Sequence, residues 1–229
     1  MTTSKYTEKK YKQINKKCEE WAVKTGRIFG VPLAKGIARL PIKIHPNIVT
    51  FFSLLLSVIA AYLFFNNQLI YGAIFFFISY VFDCADGTLA RLTDTQSKFG
   101  EKLDYYFDII SKFLMYFGLW YSQFYTNNQW LIGGIIIVAH YMVMAFGYIF
   151  VKIRTYKTIS PYISSYYSAA DEGMLTFFFL PLITFFINDA FRLVFPLLVI
   201  LQFISYFILF LKQKEKPDVK NNIKKMLKI

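Results

Sequence analysis

The sequence predicts an all-α integral membrane protein, with six transmembrane helices preceded by an N-terminal interfacial amphipathic helix. Three observations carry this. The 229 residues are 56% hydrophobic, with 26 Phe and 17 Tyr, which is too apolar for a soluble domain of this length. Several apolar runs approach the ~20 residues needed to cross a bilayer, and short polar breaks separate them. The formal net charge of +12 is gathered at the two ends and in alternate connecting segments, as the positive-inside rule requires.

In order, residues 1–30 are basic, with Tyr6, Tyr11, Ile14, Cys18, Trp21 and Ala22 recurring at roughly helical spacing, the pattern of a helix lying in the interface. A second short surface helix is expected within 31–43, interrupted by Pro32 and Pro41. Pro46 then starts the first span, 47–65, by giving up an amide donor that a helix start does not need. The Asn-Asn-Gln at 66–68 ends it, and spans follow at 69–92 and 99–125. After the neutral turn 126–129 comes a fourth span, 130–153, whose Gly133, Gly134 and Gly147 permit close helix packing. A short fifth span, 173–187, and a sixth, 190–211, complete the set. The chain thus divides into a basic interfacial segment (1–44), a six-helix membrane domain (45–211) and a basic cytoplasmic tail (212–229), without internal repeats.

Six spans put both termini on one side. The N-terminal segment, the 91–102 turn, the 152–157 stretch and the tail are basic, so that side is cytoplasmic. The expected location is a cell membrane of the bacterial inner-membrane type. Lysine-rich ends suit an anionic membrane surface, and no soluble basic face remains for nucleic acid. Cys18 and Cys84 have no metal-ligand spacing and predict no disulfide; Cys84 reads as a small buried residue. The first 27 residues lack the apolar core of a cleavable signal peptide.

The stretch DCADGTLARLTDTQSKFGEKLDYYFD, from Asp83 to Asp108, concentrates the chemistry. Asp83 and Asp86 close one apolar run, and Asp104 and Asp108 open the next. Members of each pair stand one helical turn apart, so each pair projects from one face. Aspartate at the middle of a membrane helix costs at least about 2.5 kcal/mol. Helices joined as antiparallel neighbours by the 93–98 turn would bring all four carboxylates together, where cations must neutralise them. Hard oxygen donors without histidine or thiolate point to Mg²⁺ or Mn²⁺. Gly87 and Gly100 allow close backbone approach, and Arg91 offers a planar fork suited to phosphate oxygens. The set describes a site for a phosphate ester or diphosphate.

The spacing D-x2-D-G-x2-A-R-x8-G-x3-D-x3-D resembles the signature of the CDP-alcohol phosphotransferase family of membrane enzymes, with all eight defining positions filled. The resemblance implies that Asp83, Asp86 and Asp104 ligate a pair of divalent cations. Asp108 then completes the second metal site and acts as general base, and Gly87, Ala90, Arg91 and Gly100 contact the CDP moiety. Asn47, following Pro46, resembles the family's substrate-reaching asparagine, although Asn is also an ordinary helix cap. The implied reaction transfers a substituted phosphoryl group from a CDP-linked donor to an alcohol and releases CMP. Modest size and six spans favour CDP-diacylglycerol with a small polar alcohol; a CDP-choline or CDP-ethanolamine transferase to diacylglycerol is the alternative within the family. A cation transporter with an intramembrane Asp cluster is the alternative outside it, and gains nothing from Arg91. A homodimer is implied by the family alone. Lys152 and Arg154, with Lys157, are candidate contacts to an acidic acceptor, against a plain positive-inside role. Lys102 is open to the same two readings. For His140, a hydrogen-bonded structural role is favoured over a catalytic one.

Overall fold

The computed structural model describes residues 21–150 and 169–214, and helices are the only regular elements among them. They are α1 (Trp21–Ala38), α2 (Pro46–Phe65), α3 (Leu69–Leu92), α4 (Lys98–Trp120), α5 (Trp130–Phe150), α6 (Ala169–Met174), α7 (Leu180–Ile183) and α8 (Ala190–Lys214). Wider π-helical turns at Tyr121–Tyr125 and Leu175–Phe179 extend α4 and join α6 to α7. Tyr6, Tyr11, Ile14 and Cys18, the candidate acceptor contacts Lys152 and Arg154 with Lys157, and the tail from 215 onward lie outside the described residues.

Among the described residues, four helices are long and apolar enough to cross a membrane: α2, α3, α5 over Trp130–Gly147 and α8 over Ala190–Ile208. The other two expected spans differ from these for separate reasons. α4 has 23 residues, but its first two-thirds carry Lys98, Glu101, Lys102, Asp104, Asp108 and Lys112. The stretch Glu172–Ile183 is apolar but short.

Four connections reverse the chain through a residue with positive φ: Asn67 (59°), Asp94 (55°), Asn128 (57°) and Asp189 (64°). Asn and Asp are the non-glycine residues that tolerate this conformation most readily, so short polar breaks suffice to turn the chain between helices.

α2 is the spine of the site-bearing half. His45 caps it, with Nδ1 accepting from the Asn47 amide at 3.2 Å, and Pro46 occupies the first turn. It packs along both α3 and α4. Ser53 and Ser79 exchange hydrogen bonds with each other's backbone carbonyls at 3.0 and 2.9 Å, tying α2 to α3. Ser57 and Ser111 meet at 2.7 Å and tie α2 to α4. Hydroxyl pairs of this kind hold membrane helices where lipid gives no hydrophobic drive to associate. Further along, glycines let the backbones close: a Cβ on Gly118 would stand 2.5 Å from the Ala61 carbonyl, and one on Gly72 would stand 2.5 Å from the Phe64 ring. Phe64, Phe76, Tyr116, Phe124, Phe177, Phe191 and Phe195 fill the core around these crossings.

The N-terminal region differs from the expected pair of surface helices broken at Pro32. One helix, α1, runs through Pro32, and it docks on α3 through Ala22, Gly26, Gly30 and Ala34, all buried at every fourth position. The fit is close: a Cβ on Gly30 would meet the Val81 carbonyl at 2.8 Å, and one on Gly26 would meet Cys84 Sγ at 2.6 Å. A proline inside a helix forfeits one backbone hydrogen bond. Burial of this small-residue ridge along both sides of Pro32 holds the helix together there. α1 therefore braces the back of the helix that carries Asp83 and Asp86.

Candidate active site

α3 and α4 each lean on α2 but approach one another much less closely. A cleft is left between them at the end where α2 begins, and carboxylates span it. Asp83, Asp86 and Asp104 each present an oxygen, all within 4.8 Å of one another. Asp86 is only 5% exposed, and its Oδ2 has no hydrogen-bond partner. Thr50, buried on α2 with its hydroxyl donating to the Pro46 carbonyl at 3.2 Å, lies beside the Asp86 carboxylate, and Asp83 and Asp104 lie beside each other across the cleft. Two carboxylates that close require a cation or a shared proton between them. Asp108 is exposed and stands apart from the group of three, within electrostatic reach of Asp83 and Asp104.

The motif glycines acquire specific reasons. The Arg91 guanidinium folds back along α3 and lies over Gly87, where a Cβ would stand 3.3 Å from Nη1. Nη2 donates to Thr88 Oγ1 at 3.3 Å, and Thr88 itself donates to the Cys84 carbonyl at 2.8 Å. A bare Gly87 thus gives the fork its path towards the turn that holds Asp83. On the facing helix, Ser97 caps α4 by accepting from the Gly100 amide at 3.0 Å. A Cβ on Gly100 would meet Asn47 Oδ1 at 3.1 Å. Asn47, remote in sequence from the motif, therefore stands against its second glycine. Ala90 is half-buried one turn before the Asp94 reversal.

Thr50 escaped the sequence reading. Its signal is its place three residues after Asn47, on the same face of α2. A second polar group that went unread lies deeper: Tyr116, His140, Glu172 and Thr176 are all 3% exposed or less. The Tyr116 hydroxyl donates to Glu172 Oε1 and stands 3.0 Å from His140 Nε2. Thr176 adds a hydrogen bond to the same carboxylate oxygen at 3.3 Å. His140 is thus a buried, hydrogen-bonded member of this cluster. A cavity of about 700 Å³ lies at the far end of the helices, lined by Asn67, Gln123, Asn127, Asn188, Asp189 and Arg192. Arg192 and Asp189 pair with each other there, and none of the motif residues takes part.

Carboxylates converging on a cleft beside an arginine fork are an arrangement suited to a metal ion and phosphate oxygens. The family model of CDP-alcohol phosphatidyltransferases matches residues 43–213, and the chain belongs to that family. No curated protein matches it. Members are transferases of phospholipid synthesis that move a phosphoryl group from a CDP-alcohol. With its four long apolar helices, the chain is an integral membrane protein. The family uses divalent metal ions, and the residues present fit one. The donors are all hard oxygens, one of them buried and unpartnered, at separations that an ion with bonds of about 2.0–2.6 Å can bridge.

Proposed function

We propose that the chain transfers a phosphatidyl group from CDP-diacylglycerol to the hydroxyl of a small polar alcohol and releases CMP. The observation that carries this is the convergence of Asp83, Asp86 and Asp104 within 4.8 Å in a cleft bordered by Arg91, Gly87, Gly100 and Asn47. Asp83, Asp86 and Asp104 would hold two divalent cations, Mg²⁺ or Mn²⁺, with Asp108 completing the second position. Bound there, the cations supply charge neutralisation on the diphosphate and polarise the phosphorus under attack.

The rest is positioning by the chain itself. The Arg91 fork takes diphosphate oxygens in two directions at once, and Gly87 and Gly100 let the nucleotide lie against helix backbone on either side of the cleft. Asn47 offers an amide to the nucleotide from α2. The acceptor oxygen bonds to the donor's lipid-bearing phosphorus as the bond from that phosphorus to the CMP oxygen breaks, and CMP leaves with the electron pair. Asp108 takes the hydroxyl proton on a carboxylate oxygen.

The proposed topology has six crossings, α4 with its π-helical extension and the Glu172–Ile183 stretch being the third and fifth. Both termini and the carboxylate cleft then face the cytoplasm, where CDP-linked substrates are made. Cysteines introduced near each end and in the 93–97 turn should all react with an impermeant label only from the cytoplasmic side. Termini on opposite faces would remove one crossing, most simply the short fifth.

The reaction is tested by supplying purified full-length chain and Mg²⁺ or Mn²⁺ with CDP-diacylglycerol and a panel of alcohols, and separately with CDP-choline or CDP-ethanolamine and diacylglycerol. CMP release dependent on CDP-diacylglycerol and a water-soluble alcohol is expected. Release only with the second donor class would move the chain to the other branch. Cation flux into liposomes without any CMP release would overturn the reading altogether.

A further inference from the structure

Asp104, Asp108, Lys112 and Tyr116 follow one another at four-residue spacing along α4, so each is the neighbour of the next down one winding face. Exposure falls along the last three: Asp108 is exposed, Lys112 half-buried and Tyr116 buried. The face thus descends from the carboxylates into a closed floor. That floor is the Tyr116, His140, Glu172 and Thr176 cluster, and its donors are committed. The Tyr116 hydroxyl and the Thr176 hydroxyl both donate to Glu172, leaving His140 Nε2 to donate to the Tyr116 oxygen. Lys112 stands above it, and its charge acts on His140.

Lys112 is the anomaly in this stripe. It lies about 21 Å along a helix that rises 1.5 Å per residue, which in the six-crossing topology proposed above places it inside the bilayer. A lysine at that depth costs about 2.5–3.5 kcal/mol on insertion scales unless a partner or water compensates it. Among the described residues it makes no ion pair, although Asp108 stands one turn away. Side chains one turn apart have Cβ atoms about 5–6 Å from each other, comparable to an alcohol whose hydroxyl and anionic group are about two or three carbons apart.

We infer that Lys112 is a specificity-determining residue, the counter-charge for an anionic group, carboxylate or phosphate, on the acceptor alcohol. This rests on the transfer reaction proposed above. The acceptor lies along α4 with its anion on the Lys112 ammonium and its hydroxyl at Asp108. The hydrogen-bonded floor keeps the lysine from sinking further, and its carboxylate, Glu172, is taken up by the Tyr116 and Thr176 hydroxyls and forms no ion pair with Lys112 among the described residues. A neutral polyol gains nothing from such a site.

The test uses the full chain with CDP-diacylglycerol, Mg²⁺ and four acceptors: serine, glycerol 3-phosphate, glycerol and inositol. Wild type should turn over an anion-bearing acceptor best, and serine against glycerol 3-phosphate tells carboxylate from phosphate. Lys112→Met, and Lys112→Gln as a second variant, should raise KM for that acceptor about tenfold or more, the worth of one charge-assisted contact. kcat should fall less, and the thermal shift produced by CDP-diacylglycerol should stay unchanged. Lys112→Arg should recover most of the loss. An unchanged acceptor KM in Lys112→Met, or a wild-type preference for glycerol or inositol, overturns the inference while leaving the transfer reaction standing. Absence of CMP release from wild type with every donor and acceptor overturns the reaction itself, and this inference with it.

Discussion

Asp83→Asn and Asp104→Asn are each expected to lower turnover on the order of 10³-fold, comparable to losing a preorganised electrostatic group in an active site. Both variants should stay folded and monodisperse. The substitution keeps the shape of the side chain, and it removes a charge that has no protein cation paired with it among the described residues. Chelation of divalent ions should silence the wild type to the same degree, and Mg²⁺ or Mn²⁺ should restore it. Independently of activity, Mn²⁺ binding followed by electron paramagnetic resonance should weaken in both variants. The reason is geometric: these two carboxylates lie beside each other across the cleft, from different helices. Removing Asp104 leaves only α3 in the group of three, and removing Asp83 leaves Asp86 as the sole α3 carboxylate facing Asp104. Full turnover in chelator, or Mn²⁺ binding unchanged in both variants, would discard the metal centre.

The helices of the membrane part were legible in the sequence because their ends are chemically abrupt. Asn66-Asn67-Gln68, Asn127-Asn128-Gln129 and Asn188-Asp189 each interrupt apolar runs and each supplies a residue able to take positive φ. The expected 47–65 and 69–92 spans accordingly fall on α2 and α3 to within a residue. The continuity of α1 through Pro32 and its docking on α3 were not legible for a physical reason. Its buried face is made of Ala22, Gly26, Gly30 and Ala34, which contribute little hydrophobicity, so an analysis of apolar periodicity misses a ridge that works by close approach. Pro32 reads as a break in isolation, yet tertiary packing overrides it. The separation of α3 from α4 was equally hidden. Antiparallel neighbours joined by a short turn are the simplest reading, and only the shared packing on α2 opens the cleft.

The motif was legible as a whole because it lies in one stretch whose spacing encodes two helix faces. What lay outside it depended on long-range packing. Asn47 was readable as a cap and becomes a site neighbour only once Gly100 is seen against its Oδ1. Thr50 acts on Asp86 from another helix, and only its place one turn after Asn47 on α2 marks it. Glu172 directly precedes the short fifth span in the sequence, and it is 2% exposed because Tyr116 and Thr176 hydrogen-bond its carboxylate, with His140 behind Tyr116. Buried polar groups persist where their partners are supplied, and the partners are set by the fold.

Asp108 separates the two roles a carboxylate can play in this cleft. It shares a helix face with Asp104 but is exposed, and it lies outside the group of three that shares the 4.8 Å separation. A residue placed there faces the incoming alcohol more than it grips the donor. Asp108→Asn is therefore expected to lower kcat by roughly 10²-fold or more, the range of general base catalysis, while CDP-diacylglycerol binding survives. Asp83→Asn, by contrast, should weaken metal and donor binding together, because its oxygen belongs to the converging group. Turnover and donor-induced thermal shift measured side by side on the two variants decide the matter. Loss of donor binding in Asp108→Asn as complete as in Asp83→Asn would make Asp108 a metal ligand first and would leave the hydroxyl proton to another acceptor. Turnover equal to wild type would exclude it from both roles. A fall in kcat with intact donor binding assigns it the proton, at the one carboxylate that stands between the donor site and Lys112.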